Sequence, residues 1–262
     1  MALTQTIHML LPEFQAFLVL ISRIGGLLAA LPILSGRTVP MKVKLALILV
    51  LGVVLSPVIH LPSMSYDPVI LAAGLVSEMA IGLTIGLAVR LFFGALEFAG
   101  EMIGIQMGFG IAQLFDPMTS IQTPMMAQYF TLVASLVFLS LNAHVLVVAT
   151  IVSSYDAIPA FGTTLPSGLG DEVLRLSQHM FTIGFKLAAP VLITILLINI
   201  LLAILGRAVS QINVFVLSFP ITIAGGLMVL GMSMPFMVEL LAREIERLHL
   251  TIDALMKVLG HG

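Results

Sequence analysis

Residues 69–96 read VILAAGLVSEMAIGLTIGLAVRLFFGAL, a run long enough to cross a hydrocarbon core, which asks for about 20 apolar residues in a helix. One face of it is nevertheless not apolar. Positions spaced four apart are Gly74, Glu78, Gly82, Gly86, Arg90 and Gly94, so a single i±4 ridge carries only glycines and charges. Such a ridge lets another helix approach closely and offers it an ion partner. Gly100, Gly104 and Gly108 continue the theme on the next ridge. Two readings stand: packing within this chain, or packing onto other subunits. Glu78 and Arg90 are three turns apart and cannot pair with each other, which favours partners elsewhere.

Composition sets the class around this segment. Hydrophobic residues make up 60% and charged residues 9% of the 262, against the roughly 25% charged residues of soluble domains. Mean hydropathy is +1.17. These values describe an all-α integral membrane protein with membrane lipid around it. A net charge of −2 offers no clustered cations for phosphates, so nucleic acid is not expected as a partner. With no cysteine there is no disulfide, thiolate nucleophile or thiolate metal site. The N-terminal MALTQTIHMLLPEF has no basic residue before its apolar run and no small-residue cleavage site, so a removable signal peptide is not expected.

About six regions approach the length of a span: 14–34, 45–61, 69–96, 125–152, 177–206 and 214–238. Arg37, Lys42 and Lys44 should face the cytoplasm, which puts the N-terminus and the 61–68 turn outside. The rule falters at 214–238, where Arg207 precedes the segment and Arg243 and Arg247 follow it. Either that segment is a re-entrant hairpin or a simple bilayer topology does not hold. Arg23, Glu78, Arg90, Glu97, Glu101 and Lys186 lie in or at the ends of apolar runs, and each must face protein or water rather than lipid. Pro190, and Pro220 with Gly225 and Gly226, predict bent or broken helices. The interval 153–176 reads as an external polar loop ending in a helix start at Asp171. At the C-terminus Leu241, Ile245, Leu248, Ile252, Leu255 and Val258 form one stripe, an amphipathic helix that should dock on a partner or lie at the interface.

Between the third and fourth regions lies MGFGIAQLFDPMTSIQTPMMAQ, residues 107–128. Gly108, Gly110 and the Asp116-Pro117 break deny it a continuous helix, while Phe109, Ile111, Leu114 and Phe115 make it too apolar for water. At membrane depth such a loop survives only buried in protein or lining a conduit. Met102, Met107, Met118, Met125 and Met126 are adaptable packers suited to closing around varied shapes. A movable apolar plug fits this make-up, and so does a buried re-entrant turn without a gating role. Enzyme motifs are missing: there is no H-E-x-x-H or G-x-S-x-G, and the six histidines show no ligand spacing. GFGIAQ lacks the third glycine of a dinucleotide-binding loop and follows an apolar helix, not a strand. No cofactor and no catalytic role is expected.

The N-terminal SRIGGLLAALPILSGRTVPMKVKLALILVLGVVLSP, the block GLTIGLAVRLFFGALEFAGEMIGIQMGFGIAQLFDP with QTPMMAQ after it, and LGRAVSQINVFVLSFPITIAGGLMVL together resemble the FliR family of the flagellar type III export apparatus. The likeness covers essentially the whole chain, and the middle block is its most distinctive part. It implies one subunit of an inner-membrane export gate at the flagellar basal body, assembled with FliP and FliQ, contacted by FlhB and conducting unfolded flagellar export substrates. It also implies bent helical hairpins in a helical assembly, with 1–176 FliP-like and 177–262 FliQ-like. The family's plug loop maps onto Gln106–Gln122, giving Met107, Gly108, Phe109, Gly110, Ile111, Leu114, Phe115, Asp116 and Pro117 as gating candidates. Gly74, Glu78, Gly82, Gly86, Arg90, Glu97, Glu101, Lys186 and Arg207 are then candidates for helix packing and intersubunit contact. The competing reading is a secondary transporter of a small solute, with Glu78, Arg90 or Lys186 as coupling charges.

Overall fold

Helices account for all regular structure in the described residues of the computed structural model, which are 2–35, 39–59, 61, 67–109, 124–161, 168–209 and 213–260. In chain order they are α1 (Ala2–Ala30), α2 (Pro32–Ser35), α3 (Met41–Leu55), α4 (Pro68–Gln106), α5 (Met125–Ser140), α6 (Ala143–Ala157), α7 (Leu169–Ala208) and α8 (Val214–Gly260). The protein is an all-α membrane protein. Among the described residues, four stretches are long and apolar enough to cross a bilayer: Leu11–Ala30, Pro68–Gln106, Leu169–Ala208 and Val216–Gly260. A fifth arises if α5 and α6, bent by 70° at their break, count as one.

The six apolar regions therefore become four or five candidate spans, for local reasons. Region 45–61 becomes α3, whose 15 residues reach only about 22 Å, short of a core of roughly 30 Å. Region 125–152 is interrupted at Asn142, which adopts a left-handed conformation (φ 55°) that asparagine tolerates better than most residues. Conversely, α4, α7 and α8 have 39, 40 and 47 residues, so their contours run to roughly 60–70 Å, about twice the hydrocarbon thickness. Much of each must lie beyond the hydrocarbon or cross it steeply tilted.

The prolines do not break their helices. α7 runs through Pro190, and α8 runs through Pro220 and Pro235. Hydroxyls close to each proline donate to backbone carbonyls, Thr194 to Pro190 O at 2.9 Å, Thr222 to Ser218 O at 2.9 Å and Ser233 to Val229 O at 2.7 Å. These back-bonds fall on carbonyls other than those of Lys186, Val216 and Gly231, which the prolines leave without an amide donor, and they favour local bending of the helix.

Two compact units make up the chain. The first comprises residues 1–91, 142–176 and 247–262, and the second 92–141 and 177–246. In the first, α1 lies against α4 through small residues. A Cβ on Gly82 would collide with the backbone oxygen of Arg23, one on Gly26 with that of Met79, and one on Gly86 would stand 2.6 Å from Ala30 Cβ. Leu20, Ile24, Leu27, Ile81, Ile85 and Ile151 are buried in that core. The C-terminal stripe is also buried in its own chain: Leu248, Ile252 and Leu255 are inaccessible, and Gly260 abuts the carbonyl of Ala157. The partner expected for that amphipathic helix is thus at least partly internal.

The second unit is built on aromatic contacts and two more close approaches. Phe93 meets Phe138 at 5.6 Å, and Phe98 meets Phe181 and Phe185 edge-on at 5.2 Å. Gly100 faces the backbone of Met126 and Ala127, and Gly184 faces Phe98 and the carbonyl of Ala95. His179 Nε2 lies 2.9 Å from Glu244 Oε2, joining α7 to α8.

Candidate functional site

An arginine in the middle of an apolar helix needs an acid and enough acceptors, and α1 supplies the arginine. Arg23 is 1% exposed and Glu78 0%. Arg23 Nε donates to Glu78 Oε2 at 2.6 Å, Nη1 to the carbonyl and hydroxyl of Ser154 at 3.0 and 3.1 Å, and Nη2 to the carbonyl of Ile158 at 3.0 Å. The other carboxylate oxygen of Glu78 accepts the N–H of Phe161 at 3.1 Å. The Tyr155 ring covers the guanidinium at 3.7 Å.

The geometry follows from helix ends. Ser154 and Ile158 lie at the C-terminus of α6, where the dipole favours a cation; Ser154 O also accepts the Ile158 N–H at 2.9 Å, so Arg23 is its second donor. Arg23 therefore caps α6 while it pairs with α4. Gly74 completes the arrangement one turn before Glu78, because a Cβ there would overlap the Phe161 ring. Glu78 thus finds its ion partner within the chain, and Gly74, Gly82 and Gly86 meet neighbours of the same chain. The remaining charged candidates differ. Arg90, Glu97, Glu101, Lys186 and Arg207 are all exposed on helices whose other exposed residues are largely apolar.

In the second unit α4 ends at Gln106, and Met107 and Gly108 form a tight stem. Met107 N–H donates to Ile103 O at 2.9 Å and Gly108 N–H to Ile105 O at 3.0 Å. Gly108 has φ +88°, which side-chain-bearing residues rarely adopt. Met107 is fully buried and Phe109 half-buried. Gly110, Ile111, Leu114, Phe115, Asp116 and Pro117 lie outside the described residues.

Sequence reasoning missed Ser154 and Tyr155, which belong to the interval read as an external loop, and Phe219 and Gly226, which touch the stem of residues 107–108. A signal for the first pair existed: a second buried charge in an early apolar segment demands acceptors, and the polar SSYD at 153–156 ends an apolar run.

Comparison with known proteins places the chain. The family described as Bacterial export proteins, family 1, matches residues 14–248. A protein of Pectobacterium carotovorum subsp. carotovorum called flagellar biosynthetic protein FliR is 32% identical over 216 residues, covering 81% of this chain and 82% of the relative. Proteins of the same name from Escherichia coli (strain K12) and Bacillus subtilis (strain 168) are 31% and 33% identical, covering 81% and 80% of this chain and 82% and 83% of their own length. The chain belongs to the bacterial export proteins, family 1, among relatives of the FliR type.

Proposed function

We propose that this chain is a subunit of the flagellar type III export gate, a multi-pass protein of the bacterial inner membrane that helps to form the channel for unfolded flagellar proteins. The match over residues 14–248, with relatives called flagellar biosynthetic protein FliR, carries this reading. The long apolar helices agree with it, since α4, α7 and α8 each exceed what a bilayer requires. Conducting an extended polypeptide needs no covalent chemistry from this subunit, so we read it as a non-enzymatic component.

Three finer statements belong to the same proposal. FliP and FliQ are its assembly partners and FlhB its contact. Residues 1–176 are FliP-like and 177–262 FliQ-like in ancestry of form, a statement about resemblance and not about the two compact units. The stretch Gln106–Gln122 closes the channel, with Phe109 and Phe115 as apolar obstructions. Supporting the last statement is the end of α4: a buried methionine and a left-handed glycine direct the chain into that stretch.

Restoration of motility to a cell lacking its own FliR, together with co-purification of FliP and FliQ on this chain, tests the assignment. A solute transporter would fold and purify alone and leave the cell non-motile.

A further inference from the structure

A cavity of about 250 Å³ opens in the first unit, walled by Val58, Ile59 and Leu61 from the turn after α3 and by Val152, Tyr155 and Asp156 of α6. It falls below the roughly 300–1,000 Å³ of pockets that enclose a whole drug-sized ligand, so it suits one small group. The charge around it has one sign. Arg23 lies over the Tyr155 ring at 3.7 Å, but that guanidinium is buried and its charge is matched by Glu78. Asp156 is exposed and pairs with no cation among the described residues. It also sits in the last turn of α6, which carries no basic residue and where the helix dipole already disfavours an anion. A cation placed in the cavity answers both.

The cavity is continuous with an apolar surface. Val50 and Val54 of α3 and Val58 beyond its end are spaced four apart and all exposed. The chain keeps a helical turn past Leu55, with the Val58 and Ile59 N–H groups each donating to Leu55 O at 3.0 Å, so the stripe runs along α3 to the cavity wall at Val58. Lys42 and Lys44 stand at the other end of α3, roughly 20 Å away, too far to hold an anion beside Asp156. An apolar track that ends in a lone carboxylate fits an amphiphile with a cationic head. We infer that this cavity takes the ammonium of an aminophospholipid of the phosphatidylethanolamine class, with Asp156 as its counter-ion and an acyl chain laid along Val50, Val54 and Val58. The ammonium N–H groups give charge-assisted hydrogen bonds to the carboxylate. A quaternary trimethylammonium has no N–H to give, and an anionic glycerol headgroup meets Asp156 with repulsion.

The full-length chain, purified in mild detergent and offered equal amounts of phosphatidylethanolamine, phosphatidylcholine and phosphatidylglycerol with the same acyl chains, should retain the first several-fold over the other two in native mass spectrometry. D156N should abolish that preference and D156E should keep it. A phosphatidylethanolamine with a photoreactive acyl chain should label α3 between Val50 and Val58, and should do so less in D156N. Retention of either other lipid at the level of phosphatidylethanolamine overturns the site, and so does a preference that D156N leaves intact. Labelling confined to other helices overturns the acyl track and the proposal with it. Asp156 is exposed and holds no internal ion pair, so D156N should fold; if it does not, the lipid competition and the labelling of the unaltered chain decide the matter.

Discussion

Arg23 and Glu78, 55 residues apart in sequence, meet at 2.6 Å with neither side chain more than 1% exposed. A buried pair of this kind is not a large net source of stability, because desolvating two charges consumes most of their attraction. Its removal is asymmetric instead. Losing one partner strands the other charge, whereas losing both leaves only neutral groups, the Ser154 and Ile158 carbonyls and the Phe161 N–H, to be satisfied.

Arg23→Met and Glu78→Leu should therefore each destabilise the chain by about 3–5 kcal/mol, and the double variant should lose less than the sum of the two while still leaving the Ile158 carbonyl and the Phe161 N–H without their side-chain partners. Thermal unfolding midpoints in detergent measure it. Additive losses in the double variant would show that the two side chains act separately.

Close approach of α1 to α4 gives a second expectation. Gly82 has the backbone oxygen of Arg23 in the space its Cβ would need, and backbone moves less readily than a side chain. Gly82→Ala should already cost about 1–3 kcal/mol through forced separation of the helices, and Gly82→Leu should abolish recovery of folded chain. Leu49→Ala, at a position 49% exposed on α3, should matter little. Equal yields of Gly82→Leu and Leu49→Ala would remove Gly82 from the packing seam.

The class of the protein was legible because hydrophobic length and composition survive any detail of packing. The glycine ridge of residues 74–94 was legible too, since four-residue spacing maps directly onto one helix face. What the ridge meets was not. Arg23 lies in another helix, and a carboxylate on a periodic face carries no record of which distant cation it pairs with. Ser154 and Tyr155 escaped because the last polar turn of α6 looks like the start of a loop when read locally. At Pro190 and Pro220 the helices run on unbroken, so of the two expectations, bent or broken, the second does not hold, as local propensity overstates the effect of a proline where neighbouring helices surround the chain. The closeness of Gly226 to Met107, more than a hundred residues earlier, is likewise a relationship that only tertiary packing creates.

Exposed charges on apolar helices lead to the third expectation. Arg90, Glu97, Glu101 and Lys186 are exposed in the chain by itself, and lipid at mid-depth would tolerate them poorly. If partner subunits cover them, Arg90→Glu or Lys186→Glu should lower co-purification of FliP and FliQ several-fold while leaving the amount of the chain in the membrane unchanged. Undiminished co-purification by both reversals would assign these charges to water-facing surfaces.

The last expectation concerns the stretch after Gly108. If it closes the channel, its seal comes from apolar tips and soft methionine contacts, each worth about a kcal/mol or less beyond burial. Shortening it should then weaken the seal without unfolding the scaffold, whose cores are formed by helices elsewhere. Deleting residues 110–114, or changing Phe109 and Phe115 to alanine together, should raise the permeability of cells to small ions while complex yield stays near that of the unaltered chain. A turn that merely supports packing predicts the reverse, because removing it would take its neighbours down and leave no assembled channel to leak. Measuring yield and ion conductance on the same preparations separates the two. Loss of the complex without a leak, or an assembled complex with unaltered conductance, would end the closing role for this stretch.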